Sequence, residues 1–195
     1  MSAPHLTPIP GPAADLAARL SSELPILKTA RCILRAPRLE DAEAWIEIMV
    51  PDSEGHLGGP HDPDGAFREF AATVGTWLLR GHGLWTVTEH AGTVLGFVLI
   101  GFEPGDAEPE LGFLFRERAR GKGFAAEAAA AARDHALGTQ RLPGLVSYIA
   151  PGNTASRRLA ERLGASFEAL ANWDSDAEPA EIWRHRRDQA EWVSA

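Results

Sequence analysis

Residues 110–127 read ELGFLFRERARGKGFAAE. Apart from Glu110 the first six residues are apolar or glycine and suit a strand, while the alanine-rich run beginning at Ala125 suits a helix. Between them, glycines at 121 and 123 let the backbone approach a ligand closely with its N–H groups turned outward. A helix that starts here adds the positive end of its dipole, so strand, turn and helix together fit a phosphate anion. Arg116, Arg118, Arg120 and Lys122 place four cations within seven residues of a chain whose net charge is −8. A basic turn made tight by two glycines is the plainer reading. It leaves the coincidence of strand, cations, glycines and helix start unexplained.

Two phosphate motifs can be tested against these residues. Gly121 to Ala126 formally fits the dinucleotide pattern G-x-G-x-x-G/A, which also needs an acidic residue about 20 positions on, at the end of the next strand. Here the next strand ends near Ile149 and Ala150, and nothing acidic follows until Glu161. The segment also lies mid-chain, after several strands, rather than on a first βαβ unit. A nucleoside-triphosphate loop fails because Lys122 is not followed by Ser or Thr and position 116 is arginine.

Working outward toward the N-terminus, 109–115 is a strand, preceded by strands over 84–89 (LWTVTE) and 93–100 (TVLGFVLI) that form a hairpin. A helix before them carries Phe67, Phe70, Ala71, Val74, Trp77 and Leu78 along one stripe. The turn-rich stretch 51–65 separates it from an earlier helix with Ala42, Trp45, Ile46 and Met49 at helical spacing, for which Asp41 is a candidate N-cap. Arg31–Arg35 is the first strand. Residues 1–24 carry Pro4, Pro8, Pro10 and Pro12 and read as an extension, with a short helix over 14–24 that is either a partly ordered tail or a docked element. Toward the C-terminus come an alanine-rich helix over 124–137, a buried strand at 145–150, a helix at 154–163 and strands at 165–171 and 180–186. Strands first, then β-α-β-α-β, predict a single-domain α/β fold: a mixed sheet with helices packed on it, over residues 25–195.

A length of 195 residues suits one domain, and 45% hydrophobic with 24% charged residues is ordinary globular composition. The acidic balance argues against a nucleic-acid binder and suits cationic partners such as amines. No apolar run reaches the roughly 20 residues a membrane span needs. The N-terminus lacks the pattern of a secretory signal, and the single cysteine, Cys32, allows no internal disulfide. A cytoplasmic protein without membrane association is the expectation.

The stretch Arg118-x-x-Gly121-x-Gly123 resembles the R/Q-x-x-G-x-G/A motif of the GNAT N-acetyltransferases. Residues 33–45 (ILRAPRLEDAEAW) are similar to the family's first strand and helix, and 153–164 (NTASRRLAERLG) to its second signature, N-x-x-S-x-x-L-x-x-x-L-G. Glu-Leu-Gly-Phe-Leu-Phe before the loop resembles the branch of ribosomal-protein N-terminal acetyltransferases. The likeness covers about residues 30–186 and implies a mostly antiparallel sheet with a central splayed parallel pair, here 109–115 and 145–150. It implies acetyl-CoA as cosubstrate and no metal.

Carried over residue by residue, the resemblance has backbone groups of Phe113, Leu114 and Phe115 pairing with the pantetheine arm as an added strand would. The N–H groups of Arg118, Arg120, Gly121, Lys122, Gly123, Phe124 and Ala125 surround the pyrophosphate, and Asn153 and Ser156 reach the coenzyme from the next helix. Asn153 also reads simply as an N-cap and Ser156 as a first-turn residue. The implied reaction is direct attack of a primary amine, a peptide N-terminus or small-molecule amine, on the thioester. Glu110 is the candidate base, against the alternative of a solvent-exposed strand end. Many family members place a tyrosine acid seven residues after the asparagine; that position is Ala160 here, so Ser156 or water is left for the role. His56 and His61, in the 51–65 loop, are expected at the acceptor site, or else belong to a solvated loop; their spacing makes no persuasive zinc site. A non-catalytic acyl-CoA sensor or assembly module is the second functional reading. The exposed late strands allow a homodimer.

Overall fold

The computed structural model describes residues 4–52, 56–57, 59–171 and 179–186. Residues 53–55 and 58 of the 51–65 loop, and 187–195 at the end of the expected domain, lie outside the described residues. Strands β1 (Leu27–Lys28), β2 (Cys32–Arg35), β3 (Leu84–Glu89), β4 (Val94–Gly101) and β5 (Glu110–Phe115) run antiparallel in chain order. Next come β6 (Val146–Ile149), β8 (Ala180–Arg184) and, at the edge, β7 (Ser166–Ala171). Among the described strands only β5 and β6 are parallel, as the connection through a helix requires. The architecture is the expected mixed, mostly antiparallel sheet flanked by helices.

The described residues form α1 (Pro12–Ser22) in the N-terminal extension and α2 (Ala42–Met49), α3 (Pro63–Arg80), α4 (Phe124–Asp134) and α5 (Thr154–Arg162), which pack on the sheet. Side chains alternate along the strands and build a core on each face. On one face Trp85, Val87, Val98, Ile100 and Leu111 meet α4, whose Ala128, Ala129 and Ala132 are wholly buried and let the helix lie close to the sheet. On the other, Leu84, Phe97 and Leu114 meet Trp45 of α2 and Phe70 of α3. The lone Cys32 sits in the first core with no exposed surface, and burial pushes its thiol pKa upward.

Three local expectations are corrected. The stripe of α3 is narrower than expected: Ala66, Phe70 and Trp77 are buried, whereas Ala71 is exposed and Leu78 is 75% exposed. Each of the latter two lies one residue, about 100° of rotation, past a buried position. Asp41 does not cap α2 through its side chain. Its carboxylate turns back to accept from both Arg35 terminal nitrogens (2.6 and 2.9 Å), the Arg38 N–H (2.8 Å) and the Thr86 hydroxyl (2.8 Å). The alanine-rich helix ends at Asp134 and continues as a π-helical turn, His135–Thr139, where His135 packs edge-on to Trp85. In the N-terminal extension α1 buries no residue, and the chain before it touches the domain through His5 against Phe67. No helix among the described residues is long and apolar enough to cross a membrane.

Candidate active site

The glycine loop sits where β5 hands over to α4. Gly121 has φ +72° and Gly123 φ +84°, the left-handed region that disfavours a side chain. A Cβ at Gly121 would meet no atom within 4 Å, so the space above it is open for a ligand. Gly123 is the N-cap of α4 without a side-chain cap, and the first intrahelical bond shown is Glu127 N–H to the Gly123 carbonyl. The N–H groups at the start of α4 therefore lack intrahelical acceptors. Arg31 anchors the loop from β2's side. Its guanidinium donates to Glu127 (2.7 Å) and to the Lys122 carbonyl (3.0 Å), and it stacks over Phe124 at 4.7 Å.

A groove of about 480 Å³ runs from this loop along β5 to α5. Phe113, Leu114, Phe115, Arg120, Gly121, Gly123, Ala125, Asn153 and Ser156 of the expected set line it. Arg118, Lys122 and Phe124 do not. The Arg118 guanidinium reaches the Val94 carbonyl at 3.4 Å, and Lys122 and Phe124 are tied to Arg31. Arg116 is ion-paired with Glu47, which removes it from the groove's cations. Their place is taken by Arg158 and Arg162 of α5, which line the groove and were missed in the sequence. The signal was present: two arginines four apart share a helix face, downstream of Asn153. Asn153 does cap α5, its Oδ1 accepting from the Ser156 N–H at 3.0 Å, and the cap does not take it away from the groove, which it lines.

A second cavity, about 380 Å³, adjoins the groove and shares His56, Leu57, Phe113, Leu114, Asn153 and Ser156 with it. Its character is opposite. Glu69, Glu103, Asp106 and Glu110 line it beside Trp45, Met49 and Leu99. Elsewhere carboxylates are matched to arginines, as in Glu127–Arg31, Glu181–Arg157 and Glu108–Arg184. No described ion pair includes any of the four cavity acids. Burial raises the pKa of Glu103, with Glu69 and Asp106 adding repulsion, and burial likewise raises that of Asp106. Glu110 is pushed up to about 8 by burial, against a lowering contact from the Tyr148 N–H and with Asp106 and Glu103 repelling its charge. A group poised there exchanges a proton near neutral pH. Glu69, Glu103 and Asp106 escaped sequence reading because they come from α3 and from a connection read only as a turn.

His56 lines both cavities. His61 lines neither, and its Nε2 contacts the Leu57 carbonyl at 3.1 Å, steadying a residue that does. Among the described residues no group of three or more His, Cys, Asp or Glu side chains is placed to hold a metal ion.

The two cavities meet where β5 and β6 part. Register between these strands is confined to Glu110 opposite Val146, with the Val146 N–H donating to the Pro109 carbonyl at 3.0 Å. Beyond that pair the strands splay, and Phe113 and Leu114 border both spaces.

Residues 31–166 match the family described as an acetyltransferase (GNAT) domain. The fold superposes on an acetyltransferase from Agrobacterium tumefaciens str. C58 with a TM-score of 0.76 and 36% identity, over 84% of this chain and 95% of that one. It also superposes on RimL, a ribosomal L7/L12 α-N-protein acetyltransferase solved with coenzyme A, with a TM-score of 0.67 and 15% identity over 83% and 97% of the two chains. That second likeness is one of fold. A protein of Bacillus subtilis (strain 168), YkkB, is 35% identical over 66 residues, so the match spans 33% of this chain and 38% of that relative's length.

Proposed function

The chain belongs to the GNAT acetyltransferase family and is an acetyl-CoA-dependent acetyltransferase, and from that premise we propose that it acetylates a primary amine by direct attack in a ternary complex. The observation that carries this reading is the meeting of a basic groove and an acidic cavity at the splay of β5 and β6. Phosphates suit the glycine loop, the start of α4 and the guanidinium groups of Arg120, Arg158 and Arg162. The pantetheine arm suits the edge of β5 along Phe113–Phe115, where main-chain groups have no β6 partner and the Phe115 carbonyl accepts from Arg120 Nε at 2.9 Å. Unpaired acids in the neighbouring cavity suit a protonated amine, whose charge they attract.

In this reading Glu110 takes a proton from the bound amine, freeing the nitrogen lone pair for the thioester carbonyl. The C–N bond forms as the C–S bond breaks. A backbone N–H of β5 at the splay stabilises the oxygen that becomes negative in between. The thiolate, a good leaving group with a pKa of about 8.5 in free thiols, takes the remaining amine proton through Ser156 or water. His56, at the junction of the two spaces, contacts the acceptor.

Thermal denaturation tests the cosubstrate assignment. Acetyl-CoA should raise the melting temperature by preferential binding to the folded chain, while NAD and ATP give much smaller shifts. Equal stabilisation by NAD, or none by any coenzyme A compound, refutes it. A screen of amines with detection of released thiol then identifies the acceptor. Binding of acetyl-CoA without turnover of any amine would favour the sensor reading instead.

A further inference from the structure

In a continuous parallel ladder, the bond following Val146 N–H to Pro109 carbonyl on this side would run from the Tyr148 N–H to the Leu111 carbonyl. Neither group makes it. Glu110 Oε1 accepts from the Tyr148 N–H at 3.3 Å, and the Ser147 hydroxyl donates to the Leu111 carbonyl at 2.6 Å. Two side chains thus occupy the partners whose pairing would draw the strands together. Buried backbone groups rarely go unpaired, so an open splay needs such substitutes on both strands.

Ser147 is itself held. It is 2% exposed, and its Oγ lies 2.9 Å from His185 Nε2. The serine's only proton is committed to Leu111, so toward His185 its oxygen accepts, and Nε2 carries the hydrogen. His185 is neutral, its pKa depressed to about 4 by burial first, with the charges of Arg133 and Arg184 acting in the same direction. Its Nδ1 is buried without a partner, so Ser147 is the ring's one described polar side-chain contact. The imidazole leaves the hydroxyl hydrogen free to point at Leu111.

We propose that Ser147, oriented by His185, is a positioning residue that keeps β5 and β6 apart, so that the pantetheine arm can lie against the freed edge of β5. This rests on the coenzyme reading given above. Ser147 also lines the acidic cavity beside Glu110, so the same wedge sets the spacing between the cosubstrate and the acceptor base.

Calorimetric titration of Ser147→Ala tests it with two ligands: acetyl-CoA, and adenosine 3′,5′-bisphosphate, which keeps the nucleotide but lacks the arm. Without the hydroxyl, the Tyr148 N–H can close onto Leu111. The Kd for acetyl-CoA should rise about tenfold, the scale of one lost hydrogen bond, while that for the bisphosphate stays within about twofold of wild type. Exchange of the Tyr148 amide hydrogen should slow, and Ser147→Thr, which keeps a hydroxyl, should restore acetyl-CoA binding. His185→Leu, which fills the space but removes Nε2, should reproduce the selective loss and serves if Ser147→Ala does not fold. Unchanged acetyl-CoA affinity in the folded variants, or equal weakening toward both ligands, overturns the proposal. A wild-type chain that binds neither ligand would instead refute the coenzyme reading itself.

Discussion

Replacing Glu110 with glutamine should stabilise this protein while crippling it. The side chain has a pKa of about 8, against 4.5 for an unperturbed glutamate. Below pH 4.5 the carboxyl is neutral whether the chain is folded or not, and ionisation costs nothing. Between 4.5 and 8 the unfolded chain ionises first, so folding stability drains away at about 1.4 kcal/mol per pH unit, and the loss levels off above 8. At pH 7 the wild type is therefore on the order of 3 kcal/mol less stable than it would be with a neutral isostere. Glutamine is that isostere, and its carbonyl oxygen can still accept from the Tyr148 N–H, bonded at 3.3 Å in the wild type. Glu110→Gln should melt roughly 6–12 °C higher at pH 7, from the usual 2–4 °C per kcal/mol for a domain of this size. The advantage should shrink to roughly 2–3 °C at pH 5. Turnover should fall about a hundredfold if the carboxylate is the base, with little change in acetyl-CoA affinity. Calorimetric melting from pH 5 to 8.5, paired with initial rates at saturating acetyl-CoA, reads both. A variant that melts no higher than wild type at pH 8, with a pH-independent difference, refutes the buried-acid account. One that keeps wild-type rates across the same range makes Glu110 a bystander in the chemistry.

Two other perturbations have definite outcomes. Gly121→Val should abolish acetyl-CoA binding in a titration while the chain stays folded, because the side chain would fill the open space over the loop and φ is +72° there; wild-type affinity would place the phosphates elsewhere. Asp41→Asn should cost about 3–5 kcal/mol in denaturant unfolding, since it removes the charge that Arg35 grips through two bonds in a nearly closed site; a loss under 1 kcal/mol would show the pair to be dispensable.

The groove proposed for the coenzyme was legible in the sequence because its demands are local. A left-handed glycine, an orphaned helix start and a capping asparagine each leave a mark within a few residues of Gly121 or Asn153. The acidic cavity was legible only at Glu110 and His56. Glu69, Glu103, Asp106 and Glu110 converge from α3, a connection and a strand end, and no periodicity links them. The Arg118 and Lys122 side chains do not line the groove, since cations near a glycine loop have competing local acceptors, here the Val94 carbonyl for Arg118; what the resemblance implied for both residues was backbone N–H contact with the pyrophosphate. Ser147 and His185 were silent for another reason. A serine in β6 and a histidine just past β8 draw no notice until the missing ladder bond between Leu111 and Tyr148 shows what they replace.

The burial of Cys32 has a practical corollary. It is the chain's only thiol and presents no surface, so a disulfide reagent added during turnover meets just one accessible sulfhydryl, that of the released product. Colour development can then be followed continuously, without a protein background. In the absence of substrates the same reagent becomes a clock for opening at one side of the sheet. Cys32 begins β2, the second strand from the edge, beneath α4, and its modification rate should track release of the β1–β2 edge from that helix.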